Sequence, residues 1–86
     1  ISFTGVVTYP NAPEVALASD RVPADRLMIE TDAPYLSPQP VRNVRPNQPA
    51  YVVHTAAFLA ARRGQSIDTF TAAADATARR IYGLPV

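Results

Sequence analysis

Leu27-Met28-Ile29-Glu30-Thr31-Asp32-Ala33-Pro34-Tyr35-Leu36 is the stretch that decides the fold of this chain. A short apolar strand runs into two carboxylates, and a proline stops it. Side chains alternate between the faces of a strand. Leu27, Ile29 and Thr31 therefore point one way, and Met28, Glu30 and Asp32 the other. An acidic face at the carboxyl end of an apolar strand is costly unless donors or a cation compensate it. In α/β sheets and barrels, ligands and catalytic groups gather at the carboxyl ends of the strands. The decapeptide is the best candidate for an active-site segment.

Working outward, Ile1-Ser2-Phe3-Thr4 alternates up to Gly5 and reads as a second strand, and Gly5–Pro10 as a loop. Asn11 is placed to cap a helix, with Pro13 in its first turn and Glu14 completing a box-like pair, and the helix runs to about Ser19. Val22-Pro23-Ala24-Asp25 turns the chain into the strand Leu27–Asp32. Strand, helix, strand implies a parallel pair with a right-handed crossover. Five of the nine prolines then fall between Ala33 and Pro49. A long ordered connection of that kind is often functional. Asn47 or Gln48 is placed to cap a helix that runs through Arg63 and ends at Gly64. Ser66 caps a last helix to about Tyr82, with Phe70, Ala73, Ala74, Thr77 and Ile81 on one stripe and Gly83 and Pro85 beyond it. Two parallel strands do not make a sheet covered on both faces, so the core looks incomplete. The chain begins without Met inside a strand-like run, which leads to the expectation that its start is missing.

Composition narrows the function classes. The chain has 86 residues, 48% of them apolar and 17% charged, enough for one small globular unit. A net charge of +1 gives no global nucleic-acid signal, so any basic site is local. Without Cys there are no disulfides and no zinc–thiolate sites. No apolar run reaches the roughly 18–20 residues of a membrane span, and the N-terminus lacks the basic region of a signal peptide. A cytoplasmic protein with no membrane partner is expected.

The order of segments resembles the carboxyl-terminal third of the TatD-type metal-dependent hydrolases. The matching stretches are Ile1-Ser2-Phe3-Thr4-Gly5, Asp25-Arg26-Leu27, Ile29-Glu30-Thr31-Asp32-Ala33-Pro34-Tyr35-Leu36, Asn47-Gln48-Pro49-Ala50-Tyr51-Val52 and Ala78-Arg79-Arg80-Ile81-Tyr82-Gly83-Leu84. The resemblance implies an α/β fold in β-α-β-α-α order, the C-terminal fragment of a (β/α)₈ TIM barrel. Ile1–Thr4 would be strand seven and Leu27–Asp32 strand eight, with residues 1–86 an incomplete part of one domain whose N-terminal part is missing. It further implies a divalent-metal hydrolase, a DNase whose substrate is DNA, with two metal ions (Mg, Mn or Zn) per intact site. The family's other ligands lie upstream of this segment. Two positions depart from the family pattern: Gln48 stands where Glu is usual, and Thr77 where Asn is usual.

The resemblance makes Asp32 a metal ligand and a catalytic group; taken alone, Asp before Ala-Pro also suits a turn. Glu30, one step deeper on the same face, is either an acceptor that orients a ligand histidine or the partner of a buried Arg elsewhere in the barrel. Arg42 and Arg45 lie in the loop after the last strand, where barrels often bind phosphate; either would serve equally as a solvated side chain. Tyr35 can stack on a base, although packing under the proline-rich loop is the expectation. His54, alone on a helix, reads as structural. The arginine pairs Arg62-Arg63 and Arg79-Arg80 suit the ends of their helices. Alternatives to the DNase are an aminoacyl-tRNA ester hydrolase on the same fold and a non-catalytic interaction module.

Overall fold

The computed structural model describes residues 1–83. Leu84 and Pro85, read above as part of the closing motif and as the stop after the last helix, lie outside the described residues. The elements run β1 (Ser2–Phe3), α1 (Pro13–Asp20), β2 (Met28–Ile29), α2 (Val52–Arg62) and α3 (Ile67–Ile81). Short 3₁₀ turns at Gly5–Thr8, Ala24–Arg26, Gln39–Val41 and Pro49–Tyr51 join them. The expected β-α-β-α-α order is therefore present, in an α/β fold with a two-stranded parallel sheet.

β1 and β2 pair Ser2 with Met28 and Phe3 with Ile29. Met28 N–H donates to the Ile1 carbonyl and Glu30 N–H to that of Phe3, both at 2.9 Å. In a parallel ladder this turns the Ile29 amide and carbonyl away from β1, to an open edge. The strands are shorter than the sequence suggests, but the alternation holds. Phe3 and Leu27 are buried in the core and Ile29 packs against it, whereas Met28 is half-buried and Glu30 exposed.

The core lies between this face of the sheet and the helices. Ala56, Leu59 and Ala60 of α2 and Phe70 and Ala74 of α3 close over Phe3, Val7, Val22 and Leu27. The small alanines let the helices approach the strands closely, and Leu59 and Phe70 supply most of the filling volume. On the predicted α3 stripe, Phe70, Ala74 and Thr77 are buried, while Ile81 is 49% exposed. Thr77 Oγ1 donates to its own helix at Ala73 O (3.0 Å) and lies 3.2 Å from Ala24 O.

Caps agree with the sequence at α3 and depart from it elsewhere. Ser66 Oγ accepts from Thr69 N–H at 3.1 Å, as expected. Gly64 and Gly83 both sit at φ +68° just beyond their helices, where the left-handed backbone favours glycine. Asn11 does not cap α1: that position belongs to Ala12, which provides no side-chain hydrogen bond. The Asn11 side chain accepts from Arg42 instead, at 3.2 Å. Asn47 and Gln48 do not cap α2 either, because a 3₁₀ turn intervenes and Tyr51 stands at the cap.

The region expected as a loop after β1 is a 3₁₀ turn. Thr4 Oγ1 accepts from Val6 N–H at its start. Gly5 has a specific reason. A Cβ there would stand 3.0 Å from the Cα, N and Cγ of Pro38, two of them main-chain atoms that cannot step aside. Gly5→Ala should therefore overpack this junction and lower stability by about 1–3 kcal/mol, measured by urea unfolding.

At the other end of the sheet, arginines tie α1 to α2. Arg63 donates to the Ser19 and Val22 carbonyls at 3.1 and 2.8 Å, satisfying groups at the end of α1. Arg62 forms a bidentate pair with Asp20 at 2.7 Å for both contacts. The Arg62 hydrogen bond holds the Asp20 carboxyl below the usual carboxylate range. Its contribution to stability is thus present above that range and lost as pH falls through the lowered value. An NMR titration should find Asp20 titrating below its ordinary value, and Arg62→Ala should return it there.

Candidate active site

The parallel register brings the carboxyl ends of β1 and β2 side by side, so the segments that leave them meet. After β1 the chain makes the Gly5–Thr8 turn and reaches Tyr9. After β2 it enters the proline-rich connection. Tyr9 hydroxyl donates to Ser37 O at 2.6 Å, with both groups buried. Gln39 N–H donates to Thr8 Oγ1 at 2.7 Å. Ser37 Oγ in turn donates to Val44 O at 2.9 Å, folding the connection back on itself. The Ala33–Pro34 and Arg45–Pro46 bonds are cis. Proline removes donors, so these side-chain and main-chain bonds carry the order of the segment.

Asp32 sits where β2 gives way to this connection. The turn that follows is closed by the main chain, Tyr35 N–H donating to Asp32 O at 2.8 Å. The side-chain cap is supplied by its neighbour: Thr31 Oγ1 accepts from Ala33 N–H at 3.0 Å. The turn role considered for Asp32 thus falls to its main-chain carbonyl and to Thr31. Asp32 is half-buried as a residue, and its carboxylate has no hydrogen bond or ion pair among the described residues. Glu30 is exposed, and its carboxylate likewise has no partner among them.

Arg42, Arg45 and Tyr35 meet in one cleft of about 650 Å³ that also takes in Tyr9, Leu36 and Asn47. Arg42 is already engaged. Its guanidinium lies 3.7 Å from the centre of the Tyr9 ring, and one of its nitrogens reaches Asn11 and Gln39. Arg45 is exposed and has no side-chain partner among the described residues. Tyr35 does not pack under the connection as expected. It is 73% exposed, because its carbonyl, not its ring, is drawn inward. His54 is half-buried on α2 with its ring 6.2 Å from that of Tyr51, and lines neither this cleft nor the turn at Asp32; Asp32 itself is not among the residues that line the cleft.

Sequence reasoning missed Asn47 as a site residue. Its carboxamide is buried and reaches Tyr35, Leu36 and Thr31. A polar residue between two prolines, ahead of a helix, gives the same signal as a cap, and only the long-range contacts tell the two apart. Ser37 and Tyr9 were missed as well, because their bond joins residues 28 apart and no local pattern announces it.

The family model described as "TatD related DNase" matches residues 1–83. The chain belongs to this family. It is 40% identical over 85 residues to an "Uncharacterized metal-dependent hydrolase" of Buchnera aphidicola subsp. Baizongia pistaciae, covering 99% of this chain and 32% of that protein. It is 46% identical over 68 residues to the "Uncharacterized metal-dependent hydrolase YcfH" of Escherichia coli K12, covering 79% of this chain and 25% of that protein. The "3'-5' ssDNA/RNA exonuclease TatD" of Klebsiella pneumoniae strain 342 is 41% identical over 68 residues, 76% of this chain and 26% of its own length. The chain spans a quarter to a third of the length of these curated relatives.

A metal ion is implied by those names, and the side chains present test the fit. Among the described residues no three of His, Cys, Asp and Glu come together. Asp32 is one hard carboxylate donor, and a tight site needs several. The described residues do not hold a metal ion by themselves. Among them, too, no helix is long and apolar enough to cross a membrane. Titration of the 86-residue chain with Mn²⁺ or Zn²⁺ should accordingly give only weak binding by calorimetry. Micromolar affinity would mean that the donor set has been misread.

Proposed function

We propose that this chain is the carboxyl-terminal part of a divalent-metal-dependent phosphodiesterase that acts on nucleic acid, DNA first. β1 and β2 would be strands seven and eight of a (β/α)₈ barrel. The observation that carries the reading is the Asp32 carboxylate. It lies three residues beyond the carboxyl end of a parallel strand, and its side chain makes none of the hydrogen bonds of the turn that follows, which its own main-chain carbonyl and Thr31 supply. A carboxylate that no protein donor engages is available to a cation supplied from the rest of the barrel.

In this reading Asp32 is one metal ligand among several, the others lying outside this segment. A divalent ion bound there supplies positive charge to a phosphoryl oxygen and to water. Glu30, on the same side of β2, orients a neighbouring ligand. Arg45, with its guanidinium unengaged, is the phosphate contact. Arg42 contributes charge from its fixed place over Tyr9. The relatives' names support the class of reaction, and the Klebsiella protein's name supports a nucleic-acid substrate.

Asp32→Asn tests the assignment in the complete enzyme, since it keeps the size of the side chain and removes its charge. Cleavage of single-stranded DNA should fall about a hundredfold or more, with an unchanged circular dichroism spectrum. Turnover within a few-fold of the parent at limiting metal would return Asp32 to the role of a turn residue.

A further inference from the structure

Asn47 is 5% exposed and bonds to both sides of Asp32. Its main-chain N–H donates to Pro34 O at 2.9 Å. Its Nδ2 donates to Tyr35 O at 2.7 Å and Thr31 Oγ1 at 3.2 Å, with Leu36 O at 3.5 Å. Two consecutive carbonyls thus converge on one amide. Leu36 accordingly adopts φ +52°, a left-handed conformation that leucine rarely takes. With both carbonyls turned inward, the side chains go outward: Tyr35 is 73% and Leu36 52% exposed. The Asn47 Oδ1 is buried without a partner, so the amide is held by its donor side alone.

The exposed ring lines the same cleft as the unengaged Arg45 and the Arg42–Tyr9 stack. A flat aromatic surface beside a free guanidinium suits a ligand that is itself a flat ring joined to a phosphate. Bases in a duplex are already stacked on both sides, whereas an unpaired base offers its face to an aromatic side chain.

We propose that Asn47 is a positioning residue which holds Tyr35 outward as a stacking platform for one unpaired nucleobase, with Arg45 on the adjoining phosphate. The proposal rests on the nucleic-acid reading above and adds the element that favours a single strand. Asn47 touches no substrate. It acts through the backbone of Tyr35 and Leu36.

The test is binding of a short fluorescent oligothymidylate to the complete enzyme in the presence of a chelator, so that neither cleavage nor metal enters. Tyr35→Ala and Asn47→Ala should each weaken binding about tenfold. The double variant should bind no worse than Tyr35→Ala alone, because both changes remove one platform. Tyr35→Phe should bind like the parent. Arg45→Ala should add its own loss and lower the slope of log K against log salt by about 0.7. A purely structural asparagine would move the unfolding midpoint without this coupling. Tyr35 is exposed, so Tyr35→Ala keeps the proposal falsifiable even where Asn47→Ala unfolds. Asn47→Ser, which retains the main-chain bond and a donor, should then fall between parent and Ala. The proposal is overturned by an unchanged affinity in Tyr35→Ala, or by a double variant whose loss is the product of the two single losses. A parent enzyme that does not bind the oligonucleotide would instead remove the nucleic-acid reading itself.

Discussion

Main-chain hydrogen bonds between β1 and β2, those from Met28 to Ile1 and from Glu30 to Phe3 among them, set the register on which everything else depends. They make the strands parallel and bring both carboxyl ends to the same side. Each strand then delivers a segment to one place: the Gly5–Tyr9 turn from β1 and the proline-rich connection from β2. The contact between these segments is polar and specific, Tyr9 to Ser37 and Gln39 to Thr8. Gly5, lacking a side chain, lets Pro38 come close enough for both bonds to form. A slip of one residue would turn Leu27 and Ile29 out of the core and Glu30 into it, a heavy penalty that holds the register in place.

The connection is ordered by an economy of donors. Prolines limit its conformations but offer no N–H groups, so a few side chains serve its carbonyls, Asn47 more than one of them. Asn47 closes the turn around Asp32, and Ser37 folds the middle of the segment toward Val44. On the far side of the sheet, Arg63 does comparable work for the end of α1. A lysine there could place one charge but not a planar fork against two carbonyls.

The architecture was legible in the sequence where the signal was local. The parallel pairing of the strand at Leu27, the Ser66 cap and the glycines after the helices each depend on a few neighbouring residues, and each reappears in the structure. The strand itself stops at Ile29, so Asp32 lies three residues beyond it, in the turn closed by Tyr35. Asn11, Asn47 and Tyr35 were not legible. A small polar residue before a helix looks like a cap from its neighbours alone, yet the Asn11 and Asn47 side chains are claimed by groups 31 and up to 16 residues away. Tyr35 was expected to pack because it is aromatic and lies among prolines. Its exposure follows from a backbone conformation at Leu36 that no local propensity favours.

The side of β2 that faces away from β1 has a consequence for how this segment behaves by itself in a crowded solution. In the barrel proposed above that side pairs with a further strand; in the segment alone, the outward amide and carbonyl of Ile29 are a template that an extended chain can read, a copy of the same segment included. The sequence keeps that template small. β2 is two residues long, Glu30 follows it with an exposed charge, and Pro34 lies within the next turn. A stranger that begins to pair there soon meets a carboxylate and then a residue without an amide proton. The same short run that ends in Asp32 therefore also limits misassociation, through the order in which its residues occur.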